Sequence, residues 1–112
     1  MKEYNLPDSY DKFSSDILIG ENRDENDLLL KISDKSHYWF HLESFPSCHL
    51  IFKNNLISNR EALFCAKLCL DHTKYKNMRN IYVCYTTINN LKRISPGEVE
   101  FISNKKVNKI LL

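Results

Sequence analysis

Two short segments hold the side chains with the greatest capacity for chemistry. Trp39–His41 reads Trp-Phe-His, and Ser47–His49 reads Ser-Cys-His. An indole N–H donates hydrogen bonds, and an imidazole ring can bind a metal, carry a proton or contact a ligand. Polar side chains are costly to bury without partners, so these two segments predict either a buried hydrogen-bond network or a binding face.

The alternation of side chains along a strand separates these groups. Trp39 and His41 share one face, and Phe40 faces the other, where it joins the core. Trp39 is then either a core residue with its N–H bonded to a carbonyl, or a stacking platform for an unpaired base. His41 and His49 lie on neighbouring strands and could face one another. Cys48 points away from His49 and no third ligand has a usual spacing, so we expect a buried or rim pair of histidines with hydrogen-bond partners, and no metal or other cofactor.

Cationic side chains in two connections are the candidates for binding phosphate. One group follows the longer helix and the other precedes the last strands, and connections are where binding residues concentrate. These candidates are Lys74, Lys76, Arg79, Lys92 and Arg93. Tyr75 lies among them and could stack on a base. The alternative interpretation is an ordinary solvated basic rim.

The distribution of charge along the chain is uneven. Residues 1–66 hold seven Lys/Arg against eleven Asp/Glu, a net charge of −4, and residues 67–112 hold nine against three, a net of +6. A basic second half can present a cationic face to nucleic acid, unless folding interleaves the two halves and cancels the field.

No pattern of catalytic residues is present. The sequence has no nucleophile elbow, no zinc-protease motif and no paired-carboxylate spacing, and the acids of Asp24–Asp27 are expected in a solvated first turn of a helix. We therefore expect no enzymatic activity. The four cysteines form no Cys-x-x-Cys pair, no apolar run is long enough for a membrane span, and the first residues do not resemble a signal peptide. These features favour a cytoplasmic protein with free thiols and no contact with membranes.

The apolar periodicity predicts the elements that position these groups. We expect an α+β fold with an antiparallel-dominated mixed sheet of about six short strands and two main helices packed on it, in a single domain spanning residues 1–112. Asn22 with Glu25, and Ser58 with Glu61, form the capping-box patterns that start the helices. The predicted strands are 16–20, 38–42, 47–52, 80–85, 98–102 and 107–112, with a further short strand starting at Phe13, a type II turn at Ser95–Glu98 and a loosely held tail at residues 1–9.

Taken in order, the polar and glycine positions resemble the NFACT-R family, the RNA-binding domain of ribosome quality-control factors. The resemblance extends from about Asp16 to Val99. The matching positions are Gly20, Asn22, Asn26, Asp27, Trp39, Phe40, His41, Ser47, His49, Lys74, Tyr85, Thr86, Lys92, Pro96, Gly97 and Val99. The chain departs from the family pattern by the insertion of Cys48 before His49, by Thr73 in place of Ser, and by Arg93 in place of a second Lys.

The resemblance implies a non-catalytic module that binds structured RNA, either tRNA or rRNA, with the large ribosomal subunit as a further expected partner. DNA is a less favoured ligand. Asn22, Asn26, Trp39, His41 and His49 would contact a base, a ribose or each other, and the cationic candidates would contact phosphates. A protein–protein adaptor that docks on a ribosome-associated or RNA-modifying partner is the alternative function.

Overall fold

Eight strands and two α-helices make up the described part of the chain, residues 1–8 and 15–112 of the computed structural model. In chain order they are β1 (Lys2–Tyr4), β2 (Ile17–Ile19), α1 (Arg23–Ile32), β3 (Tyr38–Leu42), β4 (Leu50–Phe52), α2 (Asn59–Asp71), β5 (Tyr82–Thr87), β6 (Leu91–Ser95), β7 (Glu98–Phe101) and β8 (Asn108–Leu111). Six strands form one sheet in the order β1-β2-β4-β3-β5-β8, and β6 and β7 form a separate hairpin. The α+β fold expected from the sequence is confirmed.

Both faces of the six-stranded sheet are covered. On one face, Phe40 packs in a core cluster with Cys65 and other buried residues of α2. On the opposite face, Trp39 and Ile51 pack with Leu29 of α1, and half-buried side chains of the β6–β7 hairpin close over them. Because neighbouring residues of a strand point to opposite faces, β3 supplies both clusters. The face that carries Trp39 is therefore an interior surface.

The two helices begin where the sequence predicts. Asn22 has extended backbone angles and its side-chain oxygen accepts a hydrogen bond from the Glu25 N–H at 2.9 Å. Ser58 and Glu61 form a complete capping box, with each side chain bonded to the other residue's backbone N–H. These bonds satisfy N–H groups that have no partner within the helix. Among the described residues, neither helix is long and apolar enough to cross a membrane.

Several elements differ from the sequence expectation. Every described strand pair is antiparallel, so the expected mixed sheet is wrong in that detail. Lys2–Tyr4, expected in a loosely held tail, pair with Ile17–Ile19, since the edge of β2 offers free backbone groups. Lys92 and Arg93, expected in a connection, lie in β6. The strand predicted to start at Phe13 falls outside the described residues.

The β6–β7 turn depends on its glycine. Gly97 has a φ of +73°, in the left-handed region that favours glycine. A Cβ added there would lie 3.0 Å from Cγ and 3.1 Å from the carbonyl oxygen of Arg23, in the first turn of α1. The turn at Pro96-Gly97 therefore sets the register of the hairpin and brings it close to the start of α1.

Candidate functional site

One broad cleft brings together residues that are far apart in the sequence. It has a volume of about 1020 Å³ and is lined by the start of α1, the β3–β4 connection, the segment after α2 and the β6–β7 turn. The predicted site residues that line it are Asn22, Asn26, His41, His49, Lys74 and Lys76. Trp39, Arg79, Lys92 and Arg93 do not line this cleft.

Asn26 joins α1 to the start of β4. Its side-chain oxygen accepts the His49 N–H at 3.1 Å, and the Gly20 N–H donates to the His49 carbonyl at 3.0 Å. A Cβ on Gly20 would lie only 2.2 Å from that same Asn26 oxygen. The Gly, Asn and His positions of the sequence pattern are thus one interlocked contact that shapes the wall of the cleft.

Asn22 also has a structural use. Its side-chain oxygen is the N-cap of α1, so this acceptor is already occupied by the Glu25 N–H. The Glu25 carboxylate in turn accepts the Glu21 N–H at 2.9 Å. The two asparagines therefore hold the start of α1 in place at the edge of the cleft, and both of their side-chain oxygens are engaged within the protein.

Asp27 is the anchor between α1 and the hairpin. Only 6% of it is exposed, and its carboxylate accepts hydrogen bonds from Arg93 Nε at 2.7 Å and Nη2 at 3.3 Å, and from the Gly97 N–H at 3.1 Å. Lys31 Nζ lies 3.1 Å away. The Arg93 guanidinium, together with the Gly97 N–H, holds the pKa of Asp27 well below its usual range.

This ion pair corrects the expectation for Asp27 and gives Arg93 a structural role. Asp27 is buried and paired, and is not one of the solvated acids of the first helical turn. Arg93, expected to contact phosphate, donates from two of its nitrogen atoms to Asp27, although 43% of its side chain remains exposed. A guanidinium and a carboxylate form strong paired hydrogen bonds, so Arg93 holds the hairpin to α1, and a contact of its exposed part with phosphate stays a prediction.

Trp39, His41 and His49 form a packed aromatic cluster. The rings of Trp39 and His41 stack with centroids 5.3 Å apart and an interplanar angle of 13°. His49 meets both rings edge-on, at 5.4 Å from each centroid. The predicted meeting of the two histidines is confirmed. Only 3% of Trp39 and 2% of His49 are exposed, so Trp39 is a core residue and offers no open stacking platform.

Both histidines of the cluster are neutral near pH 7. Burial lowers the pKa of His49 to about 3, with the neighbouring His41 acting in the same direction, and burial also lowers the pKa of His41. Neutral imidazoles cannot attract phosphate as cations. Among the described residues, Trp39 Nε1 and His49 Nδ1 are buried without a hydrogen-bond partner, and no group of three or more His, Cys, Asp or Glu side chains could hold a metal ion.

The cationic candidates separate into two groups. Lys74 and Lys76 are exposed at one end of the cleft, where Lys74 Nζ lies 5.4 Å from the ring centroid of Tyr75. Tyr75 itself is half-buried against Phe45, with ring centroids 4.6 Å apart, so it packs within the fold. Lys92 faces Glu100 across the hairpin, with 3.9 Å between Nζ and Oε1. Lys74 and Lys76 are thus the predicted cations that meet the cleft.

Sequence reasoning missed several residues that line the cleft. Lys2 and Arg23 add two cations, and Cys48 adds a thiol. Lys2 reaches this position only because β1 pairs with β2, which no local motif signals. Three carboxylates, those of Glu21, Asp71 and Glu98, also line the cleft. The cleft is therefore polar and of mixed charge, and Lys74 and Lys76 line it on the segment that follows α2.

The fold of this chain has a counterpart among solved structures. The C-terminal part of the fibronectin/fibrinogen-binding protein from Streptococcus suis superposes with a TM-score of 0.76, covering 86% of this chain and 39% of that one. At 24% sequence identity, this likeness establishes a shared fold. No family model matches the sequence.

Two curated proteins are weakly similar in sequence. Protein JLP2 of Saccharomyces cerevisiae is 29% identical over 109 residues, covering 84% of this chain and 51% of JLP2. The Rqc2 homolog RqcH of Bacillus subtilis is 24% identical over 95 residues, covering 81% of this chain and 17% of RqcH. The chain therefore spans about half the length of the first relative and a smaller part of the second.

Proposed function

We propose that this chain is a non-catalytic, cytoplasmic RNA-binding domain that engages structured RNA, either tRNA or rRNA, through the broad cleft. The observation that carries the proposal is the convergence of six predicted site residues from three separate segments on that one cleft. The similarity to RqcH, a homologue of Rqc2, supports a connection with ribosome-associated quality control or tRNA metabolism, and makes the large ribosomal subunit a candidate partner.

The size and lining of the cleft suit a segment of a macromolecule. Its volume of about 1020 Å³ lies just above the range for small-molecule pockets, about 300–1,000 Å³. Lys74 and Lys76 would contact phosphates, and free amide and backbone groups along the wall would contact ribose or base edges. The carboxylates of Glu21, Asp71 and Glu98 would disfavour indiscriminate binding to any polyanion, because like charges repel.

The test is fluorescence anisotropy with labelled tRNA, a single-stranded RNA and a duplex DNA, each at two salt concentrations. We expect tRNA to bind more tightly than DNA and to weaken as salt rises, because phosphate contacts release counterions. Lys74→Ala combined with Lys76→Ala should weaken binding. With the single-stranded RNA it should also reduce the slope of log K against log salt by about 1.4, at about 0.7 for each phosphate contact on a single strand.

The matched control is Lys105→Ala combined with Lys106→Ala. This change removes the same charge from exposed residues that do not line the cleft. It should leave the salt slope close to that of the unchanged protein. Equal losses in both double variants would show that net charge, and not the cleft, drives binding. An absence of binding to all three nucleic acids at low salt would refute the RNA-binding function and favour a protein–protein adaptor.

A further inference from the structure

Two cysteines meet behind the wall of the cleft. Cys48, in the connection between β3 and β4, places its Sγ 3.8 Å from Sγ of Cys69 in the last turns of α2. Cys48 is half-buried and lines the cleft, whereas Cys69 is fully buried. The family resemblance does not account for Cys48, since this residue is an insertion into the pattern. One cysteine of the pair thus borders the cleft, and its partner lies behind it in the core.

Their surroundings make the two thiols unequal. A hydrogen bond from Cys69 lowers the pKa of Cys48, and the same contact, together with burial, raises the pKa of Cys69 well above its usual value. Ser47 Oγ lies 3.7 Å from Cys69 Sγ and adds a polar neighbour to the pair. The thiolate is the reactive form of cysteine, so the negative charge develops on the less buried of the two cysteines.

The other two cysteines provide an internal comparison. Burial raises the pKa of Cys65 to about 12 and that of Cys84 to about 11. Both are buried in the core clusters on opposite faces of the sheet. Buried thiols with raised pKa values react slowly with oxidants. Reactivity should therefore concentrate at Cys48.

We propose that Cys48 and Cys69 are an oxidation-sensitive thiol pair that closes to an intramolecular disulfide when the protein meets a hydroperoxide. The Cys48 thiolate attacks one oxygen of hydrogen peroxide, which breaks the O–O bond, and the departing hydroxide takes a proton to become water. Cys48 is then a sulfenic acid. The Cys69 sulfur attacks Cys48 Sγ, and the sulfenic hydroxyl leaves with the Cys69 proton as a second water. Two thiols and one peroxide thus give one disulfide and two waters.

A small movement is enough to close the pair. A disulfide has an S–S bond of about 2.05 Å, so the two sulfur atoms must approach by less than 2 Å from their 3.8 Å separation. Cys48 lies in an irregular connection outside any strand, where side-chain rotation meets little backbone constraint. The bond would tie the β3–β4 connection to α2, beside the residues that form the wall of the cleft. This chemistry does not depend on what the cleft binds.

The test is to treat the reduced protein with an equimolar amount of hydrogen peroxide, alkylate the remaining thiols and digest with trypsin. The four cysteines fall on four different tryptic peptides, because Lys53, Lys67 and Arg79 separate them in the sequence. We expect the intact protein to lose two hydrogen atoms. One cross-linked peptide pair should appear, joining 36–53 to 68–74, and dithiothreitol should reverse the change.

Single variants test the order of the two steps. Cys48→Ser should slow the loss of thiols at least about tenfold, because it removes the accessible thiolate. Cys69→Ser should leave a sulfenic acid on Cys48 that dimedone labels. Cys84→Ala is the control and should form the disulfide as the unchanged protein does. A cross-link to Cys65 or Cys84, oxidation of Cys48 without a bond to Cys69, or no change of mass would each overturn the proposal. These three contrary outcomes are measured on the unchanged protein, so the test holds even where a variant fails to fold.

Discussion

Gly20 has no room for a side chain, which gives a sharp test of the contact that shapes the cleft wall. In Gly20→Ala the new Cβ would lie 2.2 Å from Asn26 Oδ1 and 3.0 Å from the Asn26 backbone nitrogen. The Asn26 side chain must move, and the hydrogen bond that it accepts from the His49 N–H at 3.1 Å is then lost. The expected result is a folded but destabilised protein with a displaced cleft wall.

The magnitude follows from the groups involved. An unsatisfied N–H in a buried position costs about 1–3 kcal/mol. The residual contact with the Asn26 backbone adds overpacking strain, of about 1 kcal/mol or more. Reduced chain entropy in the unfolded state offsets about 0.4–1 kcal/mol when glycine becomes alanine. We therefore expect Gly20→Ala to lower the free energy of unfolding by about 2–3 kcal/mol, a large part of the roughly 5–15 kcal/mol typical of a domain.

The assay is urea unfolding followed by the fluorescence of Trp39, which is the only tryptophan and is buried beside His49. The midpoint should fall while the slope against urea stays constant, because the surface exposed on unfolding is unchanged. Asn26→Ala supplies the matched background, since it removes the oxygen that the new Cβ meets. In that background, the loss of unfolding free energy caused by Gly20→Ala should be smaller by about 1 kcal/mol or more. The loss that remains would come from the contact between the new Cβ and the backbone nitrogen of residue 26. A cost below about 0.5 kcal/mol, or the same cost in both backgrounds, would refute this account of the contact.

Three further predictions concern the ion pair and the aromatic cluster. Arg93→Ala should lower the urea midpoint clearly more than Lys92→Ala, a neighbouring change of equal charge. The pKa of Asp27 is depressed in the folded state, so its contribution to the free energy of unfolding is present above about pH 4 and is lost in acid. Arg93→Ala should therefore also make stability depend less on pH in the acid range. The pKa of His49 is lowered from 6.5 to about 3, so this ring is neutral in the folded state and protonated in the unfolded state at mildly acidic pH. Stability should therefore fall as the pH drops from about 6.5 towards 3, and it should fall less in His49→Gln. Urea midpoints measured across that range test this. Trp39→Leu removes the aromatic ring and should change tRNA affinity less than about twofold in anisotropy, since Trp39 is buried. The loss of a stacked base would instead cost about 1–3 kcal/mol and weaken binding more than fivefold.

Local signals in the sequence predicted the local structure well. Asn22 and Ser58 start the two helices because a cap depends on residues only three positions away. The β3–β4 hairpin follows from two neighbouring β-prone segments joined by a short turn that contains Pro46. In contrast, β6 reads Leu-Lys-Arg-Ile-Ser, with little alternation, and its pairing is set by the Pro-Gly turn that follows it. Strands with weak patterns are recognisable only once their partners are known.

The burial of Trp39 and the ion pair of Arg93 could not be predicted from the sequence for a different reason. Both depend on where the β6–β7 hairpin lies, and that is decided by contacts between residues about 66–70 positions apart, such as those of Asp27 with Arg93 and with Gly97. When the hairpin covers its face of the sheet, Trp39 becomes interior. Residue type alone therefore could not decide whether Trp39 is a core residue or a stacking platform.

The charge division along the chain has a consequence that only the fold reveals. Folding interleaves the two halves in part: Arg93 pairs with Asp27, and Lys109 forms an ion pair with Glu43. These contacts neutralise cations near the hairpin and β8. In the described part of the chain, Lys74 and Lys76 have no carboxylate within 4.0 Å, so the positive charge that survives folding includes the end of the cleft. The other two cations that line the cleft, Lys2 and Arg23, contact Glu21 and Asp24. Joint removal of Lys74 and Lys76 therefore tests the proposed interface more directly than any change in the hairpin.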